Sequence, residues 1–386
     1  MGEVVPEVLQ RILDEVAGQS ARQELLSELE AEWASHLAEV RQKLPGAHIE
    51  DEGGCLYLND LSPGCRACKD GEWDCIFVTM ECNLDCRFCW SPTAGDCPPR
   101  AQVLADEQKR VAEDYRQTHI SGVSFSGGEA FMDVEELCGW VAWFKSSYPG
   151  EYYWVYTNGV LVTEESLARL AELGLDEIRF NAAATGYDDP AVLGSIAAAA
   201  RLLPAATVEI PAIPEDSERV LSALEKWCAA GVRYLNLHEL VYEPGSNSAT
   251  MAGARRGGSL GDGHPFEYNP ESRRLTLAVM EKVQERGLPL GVNDCSLRSK
   301  LRQIRGRRRQ MAPLVKSPLE RVVDGDRLER CCAYRGDEVL FFHPDQLKEM
   351  RERYPDRRIL SLLRTVPLAR GEPGHWVGCA QIGVKP

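Results

Sequence analysis

The chain has 386 residues and a formal net charge of −15. Such a length allows two or three domains, or one large α/β barrel with additions, and the acidity disfavours nucleic acid, whose backbone is bound by Lys and Arg. No run reaches the roughly 18 to 20 apolar residues of a membrane span, and Met1 to Pro6 lacks the basic-then-apolar order of a signal peptide, so a cytoplasmic protein without a membrane partner is expected.

At the N-terminus Leu26, Leu29, Trp33, Leu37, Val40 and Leu44 recur at steps of three and four. This is the period of one buried helix face, read as an added helix docked on the main domain, with a coiled coil as the rival. Pro63-Gly-Cys65-Arg-Ala-Cys68 follows, read as a CxxC on a Gly/Pro-punctuated loop, with Cys75 seven positions later. A CxxC supplies half a metal site. Its remaining ligands are sought in Cys75, Cys55, Cys97 or the pair Cys331-Cys332; the alternative is a reduced, buried thiol group.

From Cys75 onward, strand-like and helix-like stretches alternate. Strands are expected at 76–79, 122–125, 153–156, 177–181, 207–210, 234–237 and 288–292. Helices are expected at 106–117, 134–145, 164–173, 190–203, 217–230 and 270–286. Repeated βα units imply right-handed crossovers and a parallel sheet, hence an α/β protein with a full or partial (βα)6-type barrel whose functional residues sit at the strand C-terminal ends. Beyond this rhythm lies a basic run from Arg298 to Arg309, read either as a solvated surface helix or as a platform for an anionic substrate or acidic partner. The rest suggests a small mixed appendage. The expected division is a helical extension over 1–54, the barrel with its cysteine-rich entry loop over 55–297, and the basic segment with the appendage over 298–386.

Fourteen cysteines without an export signal point to metal or catalysis rather than to disulfides. The stretch Cys82-Asn-Leu-Asp-Cys86-Arg-Phe88-Cys89 delivers three soft ligands into one loop straight after a strand. Zinc in a closed structural site takes four protein ligands, whereas three thiolates suffice for a [4Fe–4S] cluster with one open iron. About forty residues on, Ser126-Gly127-Gly128-Glu129 runs off the next strand, with two glycines that let the backbone approach a ligand and a carboxylate able to accept from an ammonium. Later strand ends each add a polar residue: Thr157 and Asn158, Asn181, Glu209, then Asn236 and His238.

CxxxCx(aromatic)C followed by GGE resembles the signature of radical S-adenosylmethionine (SAM) enzymes. The order of motifs between about residues 65 and 310 is similar to a group related to pyruvate formate-lyase activating enzymes. The resemblance implies a [4Fe–4S] cluster on Cys82, Cys86 and Cys89, with SAM on its open iron. It implies SAM contacts at Phe88, Gly127, Gly128 and Glu129 and a flavodoxin- or ferredoxin-type electron donor, while Thr157, Asn158, Asn181, Glu209, Asn236 and His238, converging on the barrel mouth, are read as contacts for SAM or for substrate. A second iron–sulfur cluster on the CxxC stays open. The implied activity is reductive cleavage of SAM to a 5′-deoxyadenosyl radical that abstracts hydrogen from a small-molecule or peptide substrate. A glycyl-radical-enzyme activase and a non-catalytic iron–sulfur or zinc protein are the alternatives.

Overall fold

Side chains along the central strands alternate between apolar and polar, and this period of two decides which face packs against the helices. Val123, Phe125, Val155, Ile178, Val208 and Leu235 belong to one apolar core. Residues of the opposite parity, among them Ser124, Trp154, Arg179, Glu209, Asn236 and Asn293, make the other face, called the lumen below. The structure is a computed structural model that describes residues 5–89, 106, 109–110, 112–113, 116–261, 265–369, 372 and 374–382.

The chain opens with helices α1 (Glu7–Gly18) and α2 (Ser20–Lys43), then strands β1 (Ala47–Glu50) and β2 (Cys55–Leu58), helix α3 (Pro63–Asp70) and strand β3 (Trp73–Thr79). Next come β4 (Gly122–Gly127), α4 (Val134–Ser147), β5 (Tyr152–Thr157), α5 (Glu164–Glu172), β6 (Glu177–Phe180) and α6 (Pro190–Leu202). They are followed by β7 (Ala205–Ala212), α7 (Ser217–Ala229), β8 (Tyr234–Glu239) and the short strands β9 (Val241–Tyr242), β10 (Arg256–Gly258) and β11 (Phe266–Tyr268). Helix α8 (Ser272–Arg286), strand β12 (Gly291–Cys295) and helix α9 (Leu297–Val315) complete this part. The expected helix over 106–117 and Cys97 lie wholly or partly outside the described residues.

Nine strands form one sheet in the order β1-β2-β12-β8-β7-β6-β5-β4-β3. Strands β3 to β8 and β12 are parallel, while β2 runs antiparallel to β12 and pairs with β1. The result is an α/β partial barrel with β1 and β3 at its ends.

Two compact units divide the chain: 31–257 with 266–303, and 1–30 with 258–265 and 304–386. The first holds the partial barrel. The second holds a five-stranded sheet, in which β14 (Arg327–Arg335) pairs with β13 (Arg321–Val323), β15 (Glu338–Phe342) and β16 (Arg358–Thr365), and β16 pairs with β17 (Trp376–Gln381). Within this unit α1, which lies in the expected helical extension but outside the Leu26–Leu44 periodicity, sets Leu9 and Ile12 against Cys332, Tyr334, Leu360 and Leu362.

Three expectations change. The CxxC lies on a helix, because Ser62 caps it by accepting from the Gly64 amide at 3.1 Å, Pro63 fits the first turn, and Gly71 closes it at φ 76°. The last parallel strand begins at Gly291 rather than Leu288; Pro289 has no N–H for a ladder, so pairing starts later and carries Asn293 and Cys295 into the sheet. The basic run is helical, and its first part is not a solvated face, whereas Arg309 is exposed. Arg298 is buried, with its guanidinium 5.7 Å from the Trp33 ring, and Arg302 pairs with Asp70 at 2.6 Å.

Candidate active site

The CxxxCxxC loop leaves β3 and folds back over the end of β4. Gly128 donates to the Thr79 carbonyl and Glu129 to the Glu81 carbonyl, both at 2.8 Å. The glycines permit this closeness: a Cβ on Gly127 would stand 1.9 Å from the Thr79 oxygen, and one on Gly128 2.2 Å from the Glu81 oxygen. Gly127 also has φ +125°, a region L side chains rarely adopt.

Glu129 is 1% exposed and ties two strand ends together. Its carboxylate accepts from the Phe131 amide at 3.1 Å, the Thr157 hydroxyl at 2.8 Å and the Asn158 amide at 2.7 Å. Three of about four lone-pair sites are thereby used. The Asn158 side chain donates to Asn83 inside the cysteine loop at 2.7 Å. Asn181 donates its backbone N–H to Thr157 at 2.8 Å and keeps a buried side-chain oxygen without a partner.

On its other side the loop is held by the segment after β8. Thr250 and Ser246 hydroxyls donate to the carbonyls of Arg87 and Cys89, and the Asn247 amide donates to that of Phe88 at 3.2 Å. Phe88 packs against Ile213, Leu240, Tyr242 and Met251. Cys82, Cys86 and Cys89 are half-buried. Burial first, then the neighbouring Cys82 and Cys89, pushes the Cys86 thiol up to about 11. Among the described residues no group of three or more ligand side chains is already drawn together around a metal position. The donor set still fits a cluster: three soft thiols on one loop, with Cys82 and Cys89 both near enough to Cys86 to raise it, beside a glycine pair that admits no Cβ.

Glu209, Asn236 and His238 belong to a separate network in the lumen. Arg179 donates to Glu177 at 2.9 Å and to Glu209 at 2.9 Å, and Glu209 also takes Asn236 at 2.7 Å and His238 at 2.5 Å. Burial opposes ionisation of Glu209, but Arg179 and His238 hold its carboxyl well below the usual range. Helix α3 lies against this face, where the Cys65 thiol donates to Asn236 at 3.3 Å. A Cβ on Gly64 would come within 2.6 Å of Arg179 and 2.9 Å of Trp154.

The expected partners of the CxxC are redistributed. Cys331 and Cys332 lie on β14, in apolar clusters of their own unit, and burial pushes them up to about 11 and about 12. Thiols in apolar surroundings are inert, so their adjacency in sequence is that of a packed strand. Cys75 faces the lumen from β3, raised by burial to about 12. Cys295, which the sequence reading passed over, interacts electrostatically with Cys65 and Cys68. Asn83, Ser246, Asn247 and Thr250 were missed as well. Only Asn83 had a signal, its place inside the cysteine motif.

Residues 76–255 match the sequence model of the Radical SAM superfamily. Over 308 residues, 76% of this chain and 78% of the relative, the chain is 24% identical to a Methanocaldococcus jannaschii protein described as a candidate glycyl-radical enzyme activating enzyme. A PqqA peptide cyclase of Bradyrhizobium diazoefficiens is 32% identical over 106 residues, which is 27% of this chain and 26% of that protein. Among solved structures, Streptococcus suis SuiB bound to S-adenosylmethionine is similar with a TM-score of 0.45 at 13% identity, over 57% of this chain and 49% of SuiB. This chain thus spans about a quarter of the cyclase and about half of SuiB. No helix among the described residues is long and apolar enough to cross a membrane. With the cysteine loop seated on the glycine pair of a parallel partial barrel and the family match over that region, residues 76–255 carry the radical SAM domain of an enzyme, and over a longer span the chain is similar to a candidate glycyl-radical enzyme activating enzyme.

Proposed function

We propose that the protein abstracts hydrogen from a residue of a peptide or protein segment, with Cys82, Cys86 and Cys89 as cluster ligands. The observation that carries the site is the hydrogen-bonded seam joining cysteine loop, β4 and β5 through Asn83, Asn158 and Glu129. When bound, the cluster and SAM supply a reducing electron and a 5′-deoxyadenosyl radical; the chain's part is to bind, orient and exclude water. Gly127, Gly128 and the free lone pair of Glu129 suit the methionine end of SAM. The unpartnered side-chain oxygen of Asn181 suits a donor on its ribose or adenine. Glu209, Asn236 and His238 serve better as lumen groups than as SAM ligands, because their hydrogen bonds are directed at one another.

The polypeptide substrate is supported by the names of the relatives, one activating a glycyl-radical enzyme and another cyclising the peptide PqqA. A flavodoxin- or ferredoxin-type protein would deliver the electron. The test is anaerobic incubation of the reconstituted protein with SAM, a reductant and peptides encoded beside its gene, followed by mass spectrometry. A peptide that gains a mass change and raises 5′-deoxyadenosine release supports the reading. Release stimulated only by small metabolites rejects it, and a glycyl radical detected by electron paramagnetic resonance in a partner enzyme selects the activase form.

A further inference from the structure

The lumen holds a thiol that the radical chemistry does not use. Cys295 ends β12, stands in register with His238 of β8, and lies two positions before the first residue of α9, a helix of 19 residues. His238 sits 2.5 Å from the Glu209 carboxylate and faces Cys295 across the strand pair, each ring and thiol perturbing the other's ionisation. Thiol, imidazole and carboxylate therefore follow one another as nucleophile, base and orienting group.

Two ammonium groups flank the thiol. Lys69 of α3 is 3% exposed and donates at 2.9 Å to the carbonyl of Asp294, the residue before Cys295. Lys300 reaches back from the first turn of α9, and Cys295 is its strongest electrostatic partner. Among the described residues neither ammonium has a carboxylate within ion-pair distance. Arg179 is taken by Glu177 and Glu209. Beside the thiol, Asn293 Oδ1 and Ser296 Oγ are buried, in residues 3% and 0% exposed, and have no partner. Of these two atoms the Ser296 hydroxyl can donate, and an unpartnered buried donor with unpaired cations describes a place for an anionic group. Cys295 itself is half-buried.

We propose that Cys295 is a nucleophilic thiolate of the barrel lumen, a reaction centre separate from the cysteine loop, which takes a small electrophile bearing a carboxylate. The carboxylate pairs with Lys69 and Lys300 and takes the Ser296 hydroxyl. The sulfur lone pair forms the new C–S bond, and the electron pair of the bond that breaks leaves with the leaving group. His238 keeps its proton, and no oxidant or reductant is needed. Burial disfavours the charged thiolate, but His238 and Lys300 overcome this and bring Cys295 down to about 6, as cationic neighbours and a helix N-terminus do for reactive cysteines.

The inference is independent of what the radical attacks, and its test needs no turnover. The anaerobically reconstituted protein is treated with iodoacetate or with neutral iodoacetamide, iodide being the leaving group, and each cysteine is followed by peptide mass spectrometry. Half-buried Cys228, which lies on α7, is the internal reference. Cys295 is expected to react about ten-fold faster than Cys228 and to prefer iodoacetate, while Cys228 prefers iodoacetamide. His238→Gln should slow Cys295 about ten-fold with Cys228 unchanged, and Lys300→Met should erase the preference for iodoacetate. Should either variant fail to hold its cluster, the two-reagent comparison on the parent decides alone. A Cys295 that reacts no faster than Cys228, or shows no preference for the anionic reagent, overturns the proposal.

Discussion

Two buried carboxylates near the strand ends, Glu129 and Glu239, are both made harder to ionise by burial, yet they do different work. Glu129 is opposed in this by the amides of Asn158 and Phe131 and by Thr157, all of which it accepts from. The sequence offered it as an acceptor for the ammonium of SAM; the structure makes it a structural tie as well. Glu129→Ala leaves three buried donors without an acceptor, at about 1–3 kcal/mol each if unrelieved. The expected outcome is a lower urea midpoint together with weaker SAM binding by calorimetry, and an unchanged midpoint would contradict the tie. For Glu239, burial raises the carboxyl from 4.5 to about 7 against the pull of Arg273, while its oxygen accepts from the Leu297 amide at 2.7 Å. Its folded pKa lies above the unfolded one, so the proton favours the folded state. That contribution is complete below about pH 4.5 and is lost as pH rises through about 7. Glu239→Gln should therefore match the parent near pH 5 and exceed it by about 1–3 kcal/mol near pH 8. Equal midpoints at both pH values would show that the carboxyl ionises freely.

Among the elements, the cysteine loop and α3 are placed by glycines that no bulkier residue could replace. Gly128→Ala would push a Cβ to 2.2 Å from the Glu81 carbonyl, a backbone atom that cannot swing aside. The loop must shift, and iron retained after anaerobic reconstitution is expected to fall well below the parent's; full retention would mean that the seam is not what holds the loop. The parallel strands were legible because apolar residues of one parity fill a common core, and periodicity survives without knowledge of neighbours. Two pieces were not. Pro63 and the neighbouring glycines read as loop punctuation, although Pro at the first turn and Gly at the end are also how a short helix is bounded. Leu288, Leu290 and Val292 drew the last strand too early, which hid Asn293 and Cys295. The cysteine motif and GGE were legible as local strings, whereas the anchors after β8 depend on tertiary contact between segments about 160 residues apart.

On the scale of the whole molecule, one unit carries the parallel sheet, the cysteine loop and the lumen network, and the other carries the antiparallel sheet with Cys331 and Cys332 in its cores. With those thiols packed among apolar side chains, a single [4Fe–4S] centre is expected, about four irons per chain. Replacing Cys65 and Cys68 together by Ala should leave that number unchanged; a fall from about eight to about four would restore the second cluster. The central claim, that Cys82, Cys86 and Cys89 hold the cluster at which SAM is cleaved, meets its most direct test in 5′-deoxyadenosine formation by anaerobically reconstituted protein with SAM and a strong reductant. The parent is expected to form it, and the variant with all three cysteines changed to Ala is expected to form none while keeping its far-ultraviolet circular dichroism. Cleavage at the parent rate by that folded variant would contradict the assignment.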